Sequence, residues 1–197
     1  MLVFSEYQTD TIDLALDFYG YEDCPKNYEF GPSVRENFVL HFITKGKGVF
    51  HFNKKEIHLE AGDLFLLPKN KVTYYKADEE EPWSYYWIGI SGTKVSDFMR
   101  FSTLHEKGFL KKTEVETEKI GQFMEQLVHK AEASKMTSHY QLHLLSQIYE
   151  LLYLIGEVAP NVQKSYLSPT YQLYLTCKHV IETHYNKEHL SIQEIAD

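Results

Sequence analysis

At 197 residues the chain can bury a real core in one domain or two small ones, and 43% hydrophobic with 15% aromatic content fits a globular protein. The formal net charge of −8 argues against a nucleic-acid surface made by these residues alone. The opening MLVFSEYQTD has no basic segment followed by an apolar run, and the apolar stretch near Leu151 is interrupted by Glu150 and Glu157. Neither an export signal nor a membrane span is therefore expected. Cys24 and Cys177 stand far apart and in no C-x-x-C motif, which fits two reduced thiols in a cytoplasmic protein.

The first region, residues 1–92, is rich in short alternating segments. Strands are expected at Phe38 to Ile43, Val49 to Phe52, Glu56 to Leu59, Leu64 to Leu67, Thr73 to Ala77 and Trp83 to Ile90, with Gly, Asn and Pro between them. Such spacing argues for a sandwich or barrel. The acidic Asp78 to Glu81 segment before Pro82 has no apolar periodicity and reads as a solvated hairpin loop. The stretch from Gly46 to Pro68 is the most informative: Gly46-Lys47-Gly48 turns, Val49, Phe50 and Phe52 form a strand, Ile57 and Leu59 alternate with polar residues, and Leu64 to Leu67 form a buried run. Gly62, five residues and Pro68 resemble the second motif of the cupin barrel, and the preceding strands resemble its first. Metal-binding cupins carry histidine ligands in those motifs. Here His51 is followed at the second ligand position by Asn53, and Thr73 occupies the place of the late histidine, so the imidazole set of a transition-metal site is missing. A barrel without that site points to binding rather than catalysis, with no metal and no cofactor.

The second region, 93–159, is helical. A short helix is expected near Thr93 to Leu104. Thr113-x-x-Glu116 has the pattern of a capping box, after which Ile120, Phe123, Met124, Leu127, Val128 and Ala131 form one apolar stripe. Ser138-x-x-Gln141 opens a second helix, whose Leu142, Leu145, Ile148, Tyr149, Leu152 and Ile155 give a broader apolar face. The two helices form an antiparallel hairpin that covers the barrel, dimerises, or both.

A linker over 160–169 leads to a third region, 170–197. Tyr174, Cys177, Ile181 and Tyr185 mark one face of a helix ending near Asn186, and Ser191 and Glu194 form a capping box with Leu190 and Ile195 as its hydrophobic staple. A new helix is expected there, at the end of the sequence.

With those residues in hand the chain resembles the AraC/XylS family of bacterial transcription regulators. Cys24-Pro25, Phe30-Gly31-Pro32 with Arg35, His41-Phe42-Ile43, Gly46-Lys47-Gly48, Ala61-Gly62-Asp63 and Trp83 to Trp87 are similar to the sugar-responsive domain of that family. His179 to Glu182 and Leu190 to Asp197 are similar to the opening of its DNA-binding domain. The resemblance implies an α+β chain: a cupin or jelly-roll barrel that binds an effector, a helical dimerisation hairpin, and an incomplete helix-turn-helix start, so that the chain reads as a fragment. Operator DNA would be bound by recognition helices absent from it. Lys69-Asn70-Lys71 replaces the usual Pro-Gly turn, and Asn70 can still adopt its left-handed backbone.

If the ligand sits in the barrel, as the resemblance implies, Tyr85 and Trp87 alternate along one strand face and offer flat surfaces to a sugar, Tyr75 and His41 come from neighbouring strands, and Arg35 supplies a fork of donors. The competing assignments are a core aromatic for Trp87, a satisfied core imidazole for His41 and an ion pair with Glu36 or Glu29 for Arg35. His139 and His143 lack the glutamate of a zinc protease motif, no nucleotide-binding or G-x-S-x-G motif occurs, and the carboxylates of Glu79 to Glu81 have nothing to bury them. A cupin isomerase or dioxygenase and a stand-alone carbohydrate-binding module are the rival functions. The missing ligand set and the third region weigh against them.

Overall fold

The computed structural model describes residues 5–6, 13–133, 138–162 and 169–184. Internal contacts divide the chain into two units, residues 1–162 and 163–197. In the first unit the strands make two antiparallel sheets. The larger runs β1 (Ser5–Glu6), β2 (Ala15–Asp23), β9 (Ser84–Ser91), β4 (Phe38–Lys45), β7 (Leu64–Leu67), β10 (Phe109–Leu110). The smaller runs β3 (Glu29–Val34), β8 (Val72–Ala77), β5 (Lys47–Phe52), β6 (Lys55–Glu60). This is a cupin-like jelly roll with helices added, as the sequence led us to expect. The six strands read from alternation are present; β2, β3 and the short β1 and β10 are additions.

Local chemistry sets the turns. Gly46 has φ +70° and separates β4 from β5, and Asn53 and Lys54, at φ +51° and +63°, form the two-residue loop that a right-twisted hairpin favours. Asn70 sits at φ +59°, the left-handed backbone anticipated for it.

Register assigns the faces. His41 lies opposite both Trp87 and Phe65, and Ile43 lies opposite Tyr85, so these side chains share the inner face of the large sheet. Phe30 and Phe50 lie opposite Tyr75 on the smaller sheet and meet them across the lumen. The other face of the large sheet carries Leu40, Phe42, Leu64, Leu66, Ile88 and Ile90, which form a separate core with the helices.

Those helices are α1 (Val95–Met99), α2 (Leu104–Lys107), α3 (Thr117–Ala133) and α4 (Ser138–Val158). The single short helix expected from Thr93 to Leu104 is thus two, the second closed by Gly108 at φ +78°. Helix α3 begins at Thr117 rather than behind a Thr113 cap. The Thr117 hydroxyl donates to the Gly62 carbonyl at 2.6 Å, and Glu116 pairs with Lys119 at 2.6 Å, so Glu116 is not the back-reaching arm of a capping box. The same loop is held again where Asp63 accepts the backbone N–H groups of Glu60 and Lys112, each at 3.0 Å, and Lys112 Nζ donates to the Ala61 carbonyl at 2.7 Å.

The α3 stripe is core: Ile120, Met124, Leu127, Val128 and Ala131 are buried and Phe123 packs beside them. On α4 the buried set is Leu144, Ile148, Leu151, Leu152 and Ile155, while Leu142 and Tyr149, expected on the apolar face, are 69% and 47% exposed. The helix is apolar enough to offer two faces, and packing selects the one carrying Leu144 and Leu151. Helix α5 (Pro169–His184) belongs to the second unit. The capping box expected at Ser191 and Glu194, and Tyr185 before it, lie outside the described residues.

Candidate functional site

One end of the lumen gathers all five residues singled out in the sequence. Tyr85 and Tyr75 are buried, on opposite sheets, with their hydroxyl oxygens 3.2 Å apart. Tyr75 is therefore not on a strand neighbouring β9; it reaches Tyr85 across the barrel. His41, 3% exposed, lies flat on Phe65 at 4.4 Å and edge-on to Tyr85 at 4.9 Å. Burial, helped by the charge of Arg35, holds its imidazole at about 3, against an opposing backbone hydrogen bond at Val39. The ring is neutral, and its Nδ1 has no hydrogen-bond partner among the described residues.

The mouth above this floor is half-buried and aromatic. The Arg35 guanidinium lies over the Phe30 ring at 4.6 Å and near Phe18 at 5.9 Å, and Phe18 tilts against Trp87 at 5.5 Å. Arg35 Nε is buried without a partner among the described residues. The ion pair considered for it is not made: Glu29 instead accepts the Tyr74 hydroxyl at 2.7 Å, and Glu36 is exposed. Glu22 closes the site from β2, opposite Tyr85 in register, and accepts the Tyr85 hydroxyl at 3.3 Å. Burial raises its carboxyl above the usual range, with the Tyr85 bond opposing. Burial also pushes the Cys24 thiol up to about 12, leaving it protonated and unreactive.

Phe18 and Glu22 were not legible as site residues. The signal was present in Phe18-x-Gly20-x-Glu22 alternating with Tyr19 and Tyr21, but an inner face bearing glycine and a carboxylate hides a strand. Gly89 is needed for the same reason: a Cβ there would lie 1.9 Å from the Phe18 ring.

The profile of the AraC-like ligand-binding domain matches residues 15–152, which include every residue of this mouth. The chain belongs to the AraC-like ligand-binding domain family. Curated relatives agree. The Msm operon regulatory protein of Streptococcus mutans is 33% identical over 98% of this chain and 69% of its own length. The lactose operon transcription activator of Staphylococcus xylosus is 26% identical over 99% and 69%. The raffinose operon transcriptional regulatory protein RafR of Pediococcus pentosaceus is 40% identical over 49% and 36%.

In this AraC-like domain the metal positions of the cupin motifs carry a single imidazole, that of His51. His51 points outward, beside Glu56 at 3.7 Å; Asn53 lies in the hairpin turn; Thr73 is buried. Among the described residues no cluster of three or more His, Cys, Asp or Glu side chains is placed to hold an ion. No described helix is long and apolar enough to cross a membrane.

Proposed function

We propose that this chain is the effector-binding part of a cytoplasmic transcription regulator, and that its effector is a carbohydrate held in the barrel mouth by Arg35, His41, Tyr75, Tyr85 and Trp87. The observation that carries the proposal is the mouth itself: half-buried aromatic walls above a hydroxyl pair, with the buried Arg35 Nε and His41 Nδ1 without a partner among the described residues. Sugars present apolar ring faces and hydroxyl edges, which match aromatic walls and convergent polar atoms. Raffinose and lactose operons in the relatives' names support the same class. A regulatory rather than enzymatic role is supported by those relatives and by a floor that holds no metal set and no reactive thiol. The domain scheme follows: an effector barrel over 1–92, helices over 93–159, a linker over 160–169 and the start of an operator-binding domain from 170.

Homodimerisation is the second part of the proposal. Leu142, Tyr149 and Tyr153 recur at helical spacing on α4 and are 69%, 47% and 60% exposed, an apolar stripe suited to a second copy. Light scattering is expected to give a dimer for the parent and a monomer for Leu142→Glu combined with Tyr149→Glu.

The effector reading is tested by titrating neutral mono- and oligosaccharides, beginning with raffinose and lactose, into the purified chain. Binding is expected to quench tryptophan fluorescence and raise the melting temperature. Trp87→Ala should abolish both responses and His41→Ala weaken binding by about 1–3 kcal/mol, each variant first showing cooperative melting. Undiminished binding by both folded variants would place the ligand outside the barrel.

A further inference from the structure

We infer that Glu22 selects for uncharged polyhydroxylated ligands, accepting a ligand hydroxyl on its carboxylate and turning away sugars that bear a carboxylate or phosphate; this rests on the mouth being the effector site. Three features carry it. First, the register that sets Glu22 opposite Tyr85 aims it at the inner face, so its carboxylate belongs to the mouth and not to the outer surface. Secondly, its acceptor capacity is mostly unused among the described residues. A carboxylate offers about four lone-pair sites. The Tyr85 hydroxyl reaches it at 3.3 Å, a long contact for an O–H donor, and that hydroxyl is shared with Tyr75 at 3.2 Å.

Thirdly, the opposite charge of the mouth is occupied differently. Arg35 is stacked on Phe30, with Nε unpartnered among the described residues. The Tyr28 phenol feels both charges: after burial, Glu22 raises its pKa and Arg35 lowers it. The mouth thus offers donors at Arg35 and acceptors at Glu22. A neutral polyol satisfies both, giving its hydrogens to Glu22 and accepting from Arg35. An anionic ligand would suit Arg35 and leave its charge facing Glu22. Two like charges about 5 Å apart in a half-buried site disfavour binding on the order of a hundredfold.

The test uses calorimetric titration of the chain with raffinose, lactose, galacturonate and galactose 6-phosphate. The parent should bind a neutral probe and prefer it over both anions by about a hundredfold. Glu22→Gln should bind the neutral probe about tenfold more weakly and narrow the gap to the anions below about tenfold. Glu22→Asp, which keeps the charge and withdraws it, should lose neutral affinity while still rejecting the anions, a pattern that mere loosening of the fold does not produce. Neutral binding that Trp87→Ala abolishes, but with affinities and gap untouched in Glu22→Gln, overturns the inference alone, as does a parent that prefers either anion. Failure of every probe to bind the parent overturns the effector reading and the inference together.

Discussion

The two faces of the large sheet come from the same strands and do opposite things. Towards the helices, Leu40, Phe42, Leu64, Leu66, Ile88 and Ile90 meet α3 and α4 in an aliphatic seam. Towards the lumen, Val39, His41, Phe65, Tyr85 and Trp87 alternate with them and bring imidazole and hydroxyl groups inside. The seam holds polar groups at its margin, where the Tyr86 hydroxyl donates to Glu125 at 3.1 Å; the lumen buries them and leaves some without a partner among the described residues. A closed aliphatic seam maximises stability, whereas a lumen with unused hydrogen-bonding capacity gives up stability for a ligand to restore.

Cavity formation should separate the faces most strongly. Leu66→Ala removes a fully buried side chain from the seam and is expected to cost about 2–5 kcal/mol in urea unfolding. A loss below about 1 kcal/mol would show that the seam repacks freely, which its density argues against.

The second effect belongs to the lumen. His41 has a folded pKa of about 3 against an ordinary 6.5, so below pH 6.5 the unfolded chain takes up a proton that the folded chain refuses. Its contribution is fully present above 6.5 and is lost as pH falls toward 3, at about 1.4 kcal/mol per pH unit. His41→Phe should remove that part of the slope between about pH 7 and pH 5, a difference near 2–3 kcal/mol at most. An unchanged slope would mean that the imidazole is reached by water.

Next in size is a matched glycine pair. A Cβ on Gly121 of α3 would lie 2.2 Å from the ring of buried Phe42, and one on Gly89 would lie 1.9 Å from the half-buried ring of Phe18. Gly121→Ala should cost about 1–3 kcal/mol. Gly89→Ala should cost less, because Phe18 can swing outward, but it should disturb ligand binding while Gly121→Ala leaves binding intact. The reverse ranking would erase the distinction between the faces.

The smallest expected effect is that of Tyr85→Phe, which removes a hydroxyl shared between Tyr75 and Glu22 and should change stability by about 1 kcal/mol or less. Combined with Tyr75→Phe in a double-mutant cycle it should show coupling, since the two hydroxyls share one contact. Strict additivity would deny that contact.

The sequence disclosed the seam more readily than the mouth. Strands β4 to β9 announce themselves because β-branched and aromatic residues alternate between punctuating glycines, and the α3 stripe has one apolar side. β2 and β3 do not: Asp17, Gly20 and Glu22 interrupt the first, and Gly31-Pro32 interrupt the second, where the register with β8 also shifts. Those interruptions are where the mouth is built, so the same residues that equip it also conceal it. The five candidate residues could be proposed because four lie on strands with clean alternation and Arg35 came with the family resemblance. The α4 face was misjudged because a helix with leucines on two sides does not tell from periodicity which side is buried.

The clamp between the Ala61–Asp63 loop and the start of α3 has a kinetic consequence. Gly62 and Asp63 continue the barrel backbone, since the Gly62 N–H donates to the Ile43 carbonyl and the Ile43 N–H to the Asp63 carbonyl, at 2.8 and 3.0 Å. The same two residues hold the Thr117 hydroxyl and the Lys112 amide. Opening the helix from the sheet therefore breaks barrel hydrogen bonds as well. Amide exchange at Ile43, Gly62 and Lys112 should share one protection factor and one denaturant dependence, with helix and barrel opening as a single cooperative unit.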